Sequence, residues 1–375
     1  MYEVIISNNE GDAMHSFYCY LVLFFLLFFS CNKVLPTETI IDDDIVMIPD
    51  VWYNISPGQN GNPEDSYFFL GLYFINSNKG WVVGRKRPEN DQNRGIVCIT
   101  ENGGESWTEV LVPEVTDLEH VYFFNQRIGI AINNAYGPMR TTDGGNTWQL
   151  TPISMWALRG IAVDEANSVW GVRSWGEGTF LINSNDQGAT WQVLENSRIN
   201  DELTPYFLAI GALKPQNIIM AGQYQPGGFL GSRKDHLILH TINGGNSWEE
   251  IFLPEELLPY GEYIDCVKFI DDLHGWIGCD YRTIIHTIDG GTTWVKQELG
   301  IGNDSIYSID AIDENHAIAV TSNAAILVTK NGGEQWEEIL APSTLTHRLI
   351  RVQYLESNFA YALGQAAVLK AKISR

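Results

Sequence analysis

The sequence predicts an all-β chain: a seven-bladed β-propeller of four-stranded antiparallel blades, closed by an N-terminal strand that completes the last blade. Three observations carry this expectation. An eight-residue turn segment recurs six times along the 375 residues. The tryptophans that end successive copies lie 41, 43, 57, 46 and 42 residues apart, a period in the forties with strand-like contents, as propeller blades have. After the last copy the chain still holds three strands' worth of residues, and the fourth is available near its start.

In chain order, residues 1–30 read as a signal peptide of lipoprotein type. FYCYLVLFFLLFFS (17–30) is a 14-residue apolar run, short of the roughly 20 residues a membrane-spanning helix needs. The FFSC ending resembles a bacterial lipobox, which makes Cys31 the expected lipidation site and a lipid anchor the only expected membrane attachment. Residues 31–50 form a linker carrying Asp42, Asp43 and Asp44, and residues 51–375 form the propeller, at about 46 residues per blade. The expected location is a bacterial cell envelope, periplasmic or surface-exposed, and the expected state is a monomer.

DVWYNISPG (50–58) resembles the strands that follow the turn segments, so Val51 to Ser56 is expected to supply the last strand of blade seven. Sealing the ring in this way leaves no unpaired edge within it. Each blade then runs strand a, short turn, strand b, strand c, turn segment, strand d. Aromatic or apolar residues seven apart, Phe74 and Trp81, Val163 and Trp170, Phe269 and Trp276, Tyr354 and Tyr361, are expected to face each other across strands a and b. Cys266 and Cys279 share that register, leaving open either a cross-strand disulfide or two small buried thiols.

The turn segments are TENGGESW, TTDGGNTW, SNDQGATW, TINGGNSW, TIDGGTTW and TKNGGEQW, ending at Trp107, Trp148, Trp191, Trp248, Trp294 and Trp336. Their third residues, Asn102, Asp143, Asp186, Asn243, Asp289 and Asn331, are expected to accept backbone hydrogen bonds from one or two residues on. The glycines supply positive φ, and the tryptophan is expected to pack on a neighbouring sheet. Exchange of Asp for Asn keeps an acceptor and discards charge, which fits a structural role and not proton transfer or calcium binding. His236 and His240 on one strand stand roughly 13 Å apart, too far to share an ion. No metal, cofactor or catalytic residue is expected.

The formal net charge is −23, and losing Glu3, Glu10 and Asp12 with residues 1–30 leaves −20, which excludes general nucleic-acid binding. Against that background the loops between strands b and c gather Arg85, Lys86, Arg87, Arg94, Arg173, Arg233, Lys234 and Arg282, with Trp175 and Tyr281 as aromatic neighbours. These loops open on the face opposite the turn segments. A cationic face with aromatic anchors is expected to bind a protein or peptide partner.

The turn segments resemble the Asp-box (bacterial neuraminidase) repeat. Together with GW-x-x-G ahead of a T-x-[DN]-G-G-x-[ST]-W box, they make residues 51–375 similar to photosystem II assembly and stability factors. That resemblance implies a non-catalytic factor holding a polypeptide through an arginine patch, with no one-to-one match of positions. Other propellers with the repeat are sialidases and glycoside hydrolases, so a carbohydrate-binding or sialidase-like protein is the alternative. A sialidase needs an arginine clamp opening the first blade, where YFFLGLY (67–73) has no arginine. Glu255 and Glu256 lie in a loop between blades and make no convincing acid/base pair.

Overall fold

The computed structural model describes residues 51–57, 66–87, 93–133, 135–153, 158–174, 179–194, 206–212, 214–224, 235–258, 262–300, 302–339, 342 and 348–374. Among them are seven four-stranded antiparallel sheets. Blade one, for example, is Ser66–Phe74, Gly80–Arg87, Arg94–Thr100 and Thr108–Val112, strands a to d in order. The a strands line the centre, and blade seven's touches blade one's. Middle strands are buried on both faces, as in Gly275–Cys279, whereas outer strands such as Glu337–Ile339 are largely exposed.

The ring closes as the sequence predicts. Blade seven takes strands a to c from Leu349–Tyr354, Phe359–Gly364 and Ala367–Lys372, and strand d from Trp52–Asn54. Trp52 pairs with Ala371 and Asn54 with Leu369. Ser56 Oγ accepts a hydrogen bond from the Val368 N–H, and the Gln353 side chain bonds both the N–H and the C=O of Phe74 in blade one.

The expected facing of aromatic residues is one position out, and the true register shows what the aromatics do. Phe74 lies opposite Gly80 and Trp81 opposite Tyr73; likewise Phe269 faces Gly275, Val163 faces Val169 and Tyr354 faces Ala360. A Cβ at Gly80 would fall 2.3 Å from the Phe74 ring, so the glycine before the tryptophan is the floor on which the blade's own phenylalanine rests. Freed from that pairing, Trp81 reaches the next blade. It stacks on Phe123 at 3.5 Å and 7°, and its Nε1–H donates to the Gly144 carbonyl of blade two's box at 2.8 Å. Tyr361 of blade seven stacks on Phe74 of blade one at 3.6 Å, repeating the device at the closure.

The box tryptophans pack on their own blade, and Trp107 and Trp336 also reach the preceding one, where their Nε1–H groups donate to the Ile55 carbonyl and to Gln297 Oε1. Trp148 meets Phe123 edge-on, as Trp107 meets Phe74 and Trp294 meets Phe269. Each of these phenylalanines thus takes its own box tryptophan at one edge, and Phe123 and Phe74 also take the preceding blade's ring on a face. The hydrogen bonds of the box also reach further than expected. Asp143 Oδ1 accepts from the Thr147 N–H four residues on, at 2.9 Å, while Thr141 Oγ accepts from the Gly145 N–H at 3.0 Å. Asn102, Asn243 and Asn331 accept the same backbone bond at 2.9, 3.0 and 3.0 Å.

Two predictions arise here. In blade three Gln187 replaces the first box glycine and holds φ at 58°. Gln187→Gly should therefore stabilise the protein by about 0.5–1 kcal/mol, read from the urea midpoint at unchanged m value. The second concerns acid. Slight burial pushes the Asp143 and Asp186 carboxyls up, but the bonds from Thr147 and Thr141, and from Thr190 and Ser184, outweigh it and hold both below their usual value. At Asp289 the Thr293 hydroxyl and N–H lead the same shift. A depressed folded pKa gives stability that is present above the unfolded pKa and lost as pH falls through the folded one, so this contribution fades below about pH 4. Asp143→Asn, Asp186→Asn and Asp289→Asn together should flatten the acid limb of a stability-versus-pH curve by lowering the neutral plateau, while stability well below about pH 4 changes little.

Among the described residues strand a carries a bulge in blades one and three to seven, and in blade five the extra residue is Asp265. The bulge removes the register shared by Cys266 and Cys279. Cys266 faces Gly278 and Cys279 faces Ile264, and all three described cysteines, Cys98 included, are free thiols. Cys266 packs towards blade six, with its Sγ on the Ile306 carbonyl, while Cys279 joins the core shared with blade four. Of the two readings the sequence left open, the structure shows two thiols on opposite faces of one sheet.

Candidate partner-binding face

The face opposite the boxes is built by the turns between strands b and c and the connections from each strand d to the next blade. Its expected cations are less available than the sequence implies. Arg85, Lys86 and Arg87 belong to strand b of blade one, not to a loop, and Arg94 opens strand c opposite Lys86. The Arg85 guanidinium lies over the Phe68 ring and pairs with Asp117 at 2.9 Å. Lys86 pairs with Glu109 at 2.8 Å and lies over the Tyr67 ring, whose hydroxyl donates to Glu109 at 2.6 Å. Arg282 pairs with Asp304 at 3.1 Å and Glu338 at 2.6 Å, its side chain only 12% exposed.

Three of the expected binding cations are therefore neutralised by acids on the same face, so a simple cationic patch is not what blades one and five present. Arg87 remains exposed at the end of its strand. Arg173, in strand b of blade three (Val169–Ser174), lies over the Phe180 ring. Trp175, Arg233 and Lys234 lie outside the described residues, as does Cys31.

Aromatic exposure is stronger than expected. Tyr281 is 59% exposed, lifted by a turn in which Tyr281 and Arg282 both adopt left-handed backbone, at φ 52° and 56°. Tyr263 is 37% exposed and sits beside it, its carbonyl accepting the Asp280 N–H at 3.0 Å. Tyr136, in blade two's turn between Gly129–Asn133 and Gly137–Thr141, is 51% exposed. The sequence reading missed Tyr136 and Tyr263; the signal for Tyr136 is its place in the AYG turn.

Beneath these tyrosines blade five holds buried acids. Burial, and then the charge of Asp280, pushes the bulged Asp265 carboxyl up to about 7. Asp280 itself accepts from the Ser305 hydroxyl at 2.5 Å and the Tyr263 N–H at 3.0 Å, so it braces the turn that raises Tyr281. The two histidines of HLILH take separate partners: His236 Nε2 is 2.8 Å from the Glu262 carbonyl and His240 Nε2 is 2.8 Å from Asn217 Oδ1.

Comparisons with known proteins agree with this architecture. Residues 258–346 match the family described as photosynthesis system II assembly factor YCF48. The rice (Oryza sativa subsp. japonica) chloroplast photosystem II stability/assembly factor HCF136 is 34% identical over 114 residues, 30% of this chain and 26% of that protein. The photosystem II assembly lipoprotein Ycf48 of Synechococcus sp. is 22% identical over 274 residues, 71% of this chain and 72% of that one. The match thus spans about a quarter of the rice factor and under three quarters of the cyanobacterial one.

Among solved structures, YCF48 from Cyanidioschyzon merolae superposes with a TM-score of 0.62 at 16% identity, covering 86% of this chain and 98% of that one. A structure of YCF48 bound to D1 peptide gives 0.61 at 18%, covering 85% and 98%. A streptogramin B lyase gives 0.60 at 14%, covering 85% and 96%, so the fold by itself also serves enzymes. This chain is an Asp-box propeller that resembles the photosystem II assembly and stability factors.

Proposed function

We propose that the protein is a non-catalytic, membrane-anchored propeller that binds a protein or peptide partner on the face opposite its boxes. The observation that carries this reading is the exposed pair Tyr263 and Tyr281 of blade five, beside the Arg282 pairs with Asp304 and Glu338, with Tyr136 of blade two exposed on the same face. Tyrosine anchors within a polar surround are the chemistry of protein recognition. Charges that are already paired order the surface and leave discrimination to shape and to the few cations in reach, such as Arg87. Similarity to assembly factors, one of which is known in a complex with a peptide, supports the same reading.

The anchor is the lipid expected on Cys31, in a cell envelope, and the lipoprotein name of the Synechococcus relative supports it. Tyr281→Ala combined with Arg87→Glu should reduce partner capture from detergent-solubilised envelopes by about tenfold or more, the loss expected of a hot-spot residue. Capture at the wild-type level would show that the partner uses another surface.

A further inference from the structure

The face that carries the boxes has an uneven surface. Among the described residues the large hydrophobics exposed in its boxes and a–b turns are Ile242, Leu273 and Ile288, which are 74%, 52% and 64% exposed. Ile242 and Ile288 occupy the second box position in blades four and five. The same position holds Glu101, Thr142, Asn185 and Lys330 in the other boxes, so the turn does not require an aliphatic residue there.

The three side chains belong to one contiguous surface. Blade four's box bonds its own a–b turn through the Gly244 N–H and the Gln216 carbonyl. Lys214 of that turn pairs with Asp272 of blade five's a–b turn. Leu273, the next residue, accepts the N–H of Gly290 in blade five's box.

The direction of the chain says what covers this surface. The closing strand Trp52–Asn54 runs away from the box face, because Trp52 pairs with Ala371 near the end of strand c that leads to that face. Val51 therefore lies on the box face at blade seven, with blade four across the ring and blade five next to it. A tether of nineteen or so residues reaches roughly 60 Å when extended, too loose to orient the propeller alone. A second contact across the ring would orient it.

We propose that the box face of blades four and five rests on the lipid bilayer, with Ile242, Leu273 and Ile288 entering the headgroup region. Asp271, Asp272 and Asp289 beside them disfavour anionic lipid, so the surface fits a zwitterionic one. The tyrosine face is then turned away from the membrane. This rests on the anchored reading above.

The test uses the full lipidated chain in phosphatidylcholine vesicles, with an environment-sensitive fluorophore at Ile242→Cys or Ile288→Cys and, as the opposite-face control, Tyr281→Cys. Labelled unsubstituted chain gives the background. The expected result is blue-shifted emission and about threefold or more stronger quenching by spin-labelled lipid at the two box positions than at Tyr281. A second variant, Ile242→Asn with Ile288→Thr, uses residues of kinds the other boxes carry and so keeps the fold; it should abolish quenching of a label at Leu273→Cys. Chain that floats with the vesicles but shows equal quenching on both faces overturns the proposal and leaves the anchor standing. Chain that does not float overturns both. A blue shift without vesicles that grows with protein concentration assigns the surface to a second copy and overturns the lipid contact.

Discussion

Trp81→Ala will lower the unfolding free energy by about 3–5 kcal/mol, seen as a shift of the urea midpoint monitored by far-ultraviolet circular dichroism. The side chain is fully buried. It belongs by sequence to blade one, yet its stacking partner Phe123 and its hydrogen-bond acceptor Gly144 belong to blade two. Truncation opens a cavity between the two blades and strands a buried carbonyl. Trp81→Phe keeps a ring on Phe123 but removes the donor, so it should cost about 1–3 kcal/mol, the price of that unsatisfied carbonyl. If alanine and phenylalanine cost the same, the stack contributes nothing and the hydrogen bond carries the contact.

Removing residues 51–57 will have an effect at least as large. The deletion takes away the fully covered Trp52 and the main-chain bonds to Ala367–Lys372, and it frees Trp107, whose Nε1–H donates to the Ile55 carbonyl. It also exposes strand c of blade seven along its whole length, an edge that recruits other chains. The loss should exceed the roughly 3–5 kcal/mol of deleting one buried tryptophan. It should appear as self-association in analytical ultracentrifugation, reversed by a synthetic peptide of residues 50–58. A truncated chain that stays monomeric and melts at the full-length temperature would show that the closing strand is dispensable.

The blade count and the closure were legible in the sequence because both follow from repetition. Six boxes at a nearly constant period leave little choice of architecture, and DVWYNISPG matches the strands that follow the boxes. The a–b register was not legible, since Phe and Trp seven apart pair plausibly in two phases. In blades one and five the deciding residue is the glycine before the tryptophan, Gly80 and Gly275: with no side chain of its own, it marks the place where the phenylalanine ring must lie. The bulge at Asp265 was hidden for a different reason, because an extra residue in one strand leaves no compositional trace.

The candidate face was only half legible. Sequence located its arginines, but Asp117 lies 32 positions from Arg85 and Glu338 lies 56 from Arg282, in separate segments brought near by the ring. Charge compensation of that kind depends on which segments the ring makes neighbours. Exposure of Tyr263 and Tyr281 likewise depends on backbone geometry that the letters do not state.

The closing strand also sets a timetable. Ser56 finds Val368 across 312 positions of sequence, so the first part of the propeller to leave the ribosome waits for nearly the last before it has a partner. Blades one to six can form from neighbouring strands as they emerge, but blade seven cannot be finished until Ala367–Lys372 has been made. Sealing the ring is then the slow, long-range step of folding, and the unsealed chain, with an open edge at each end, is the species that a chaperone or membrane-bound assembly machinery would have to protect.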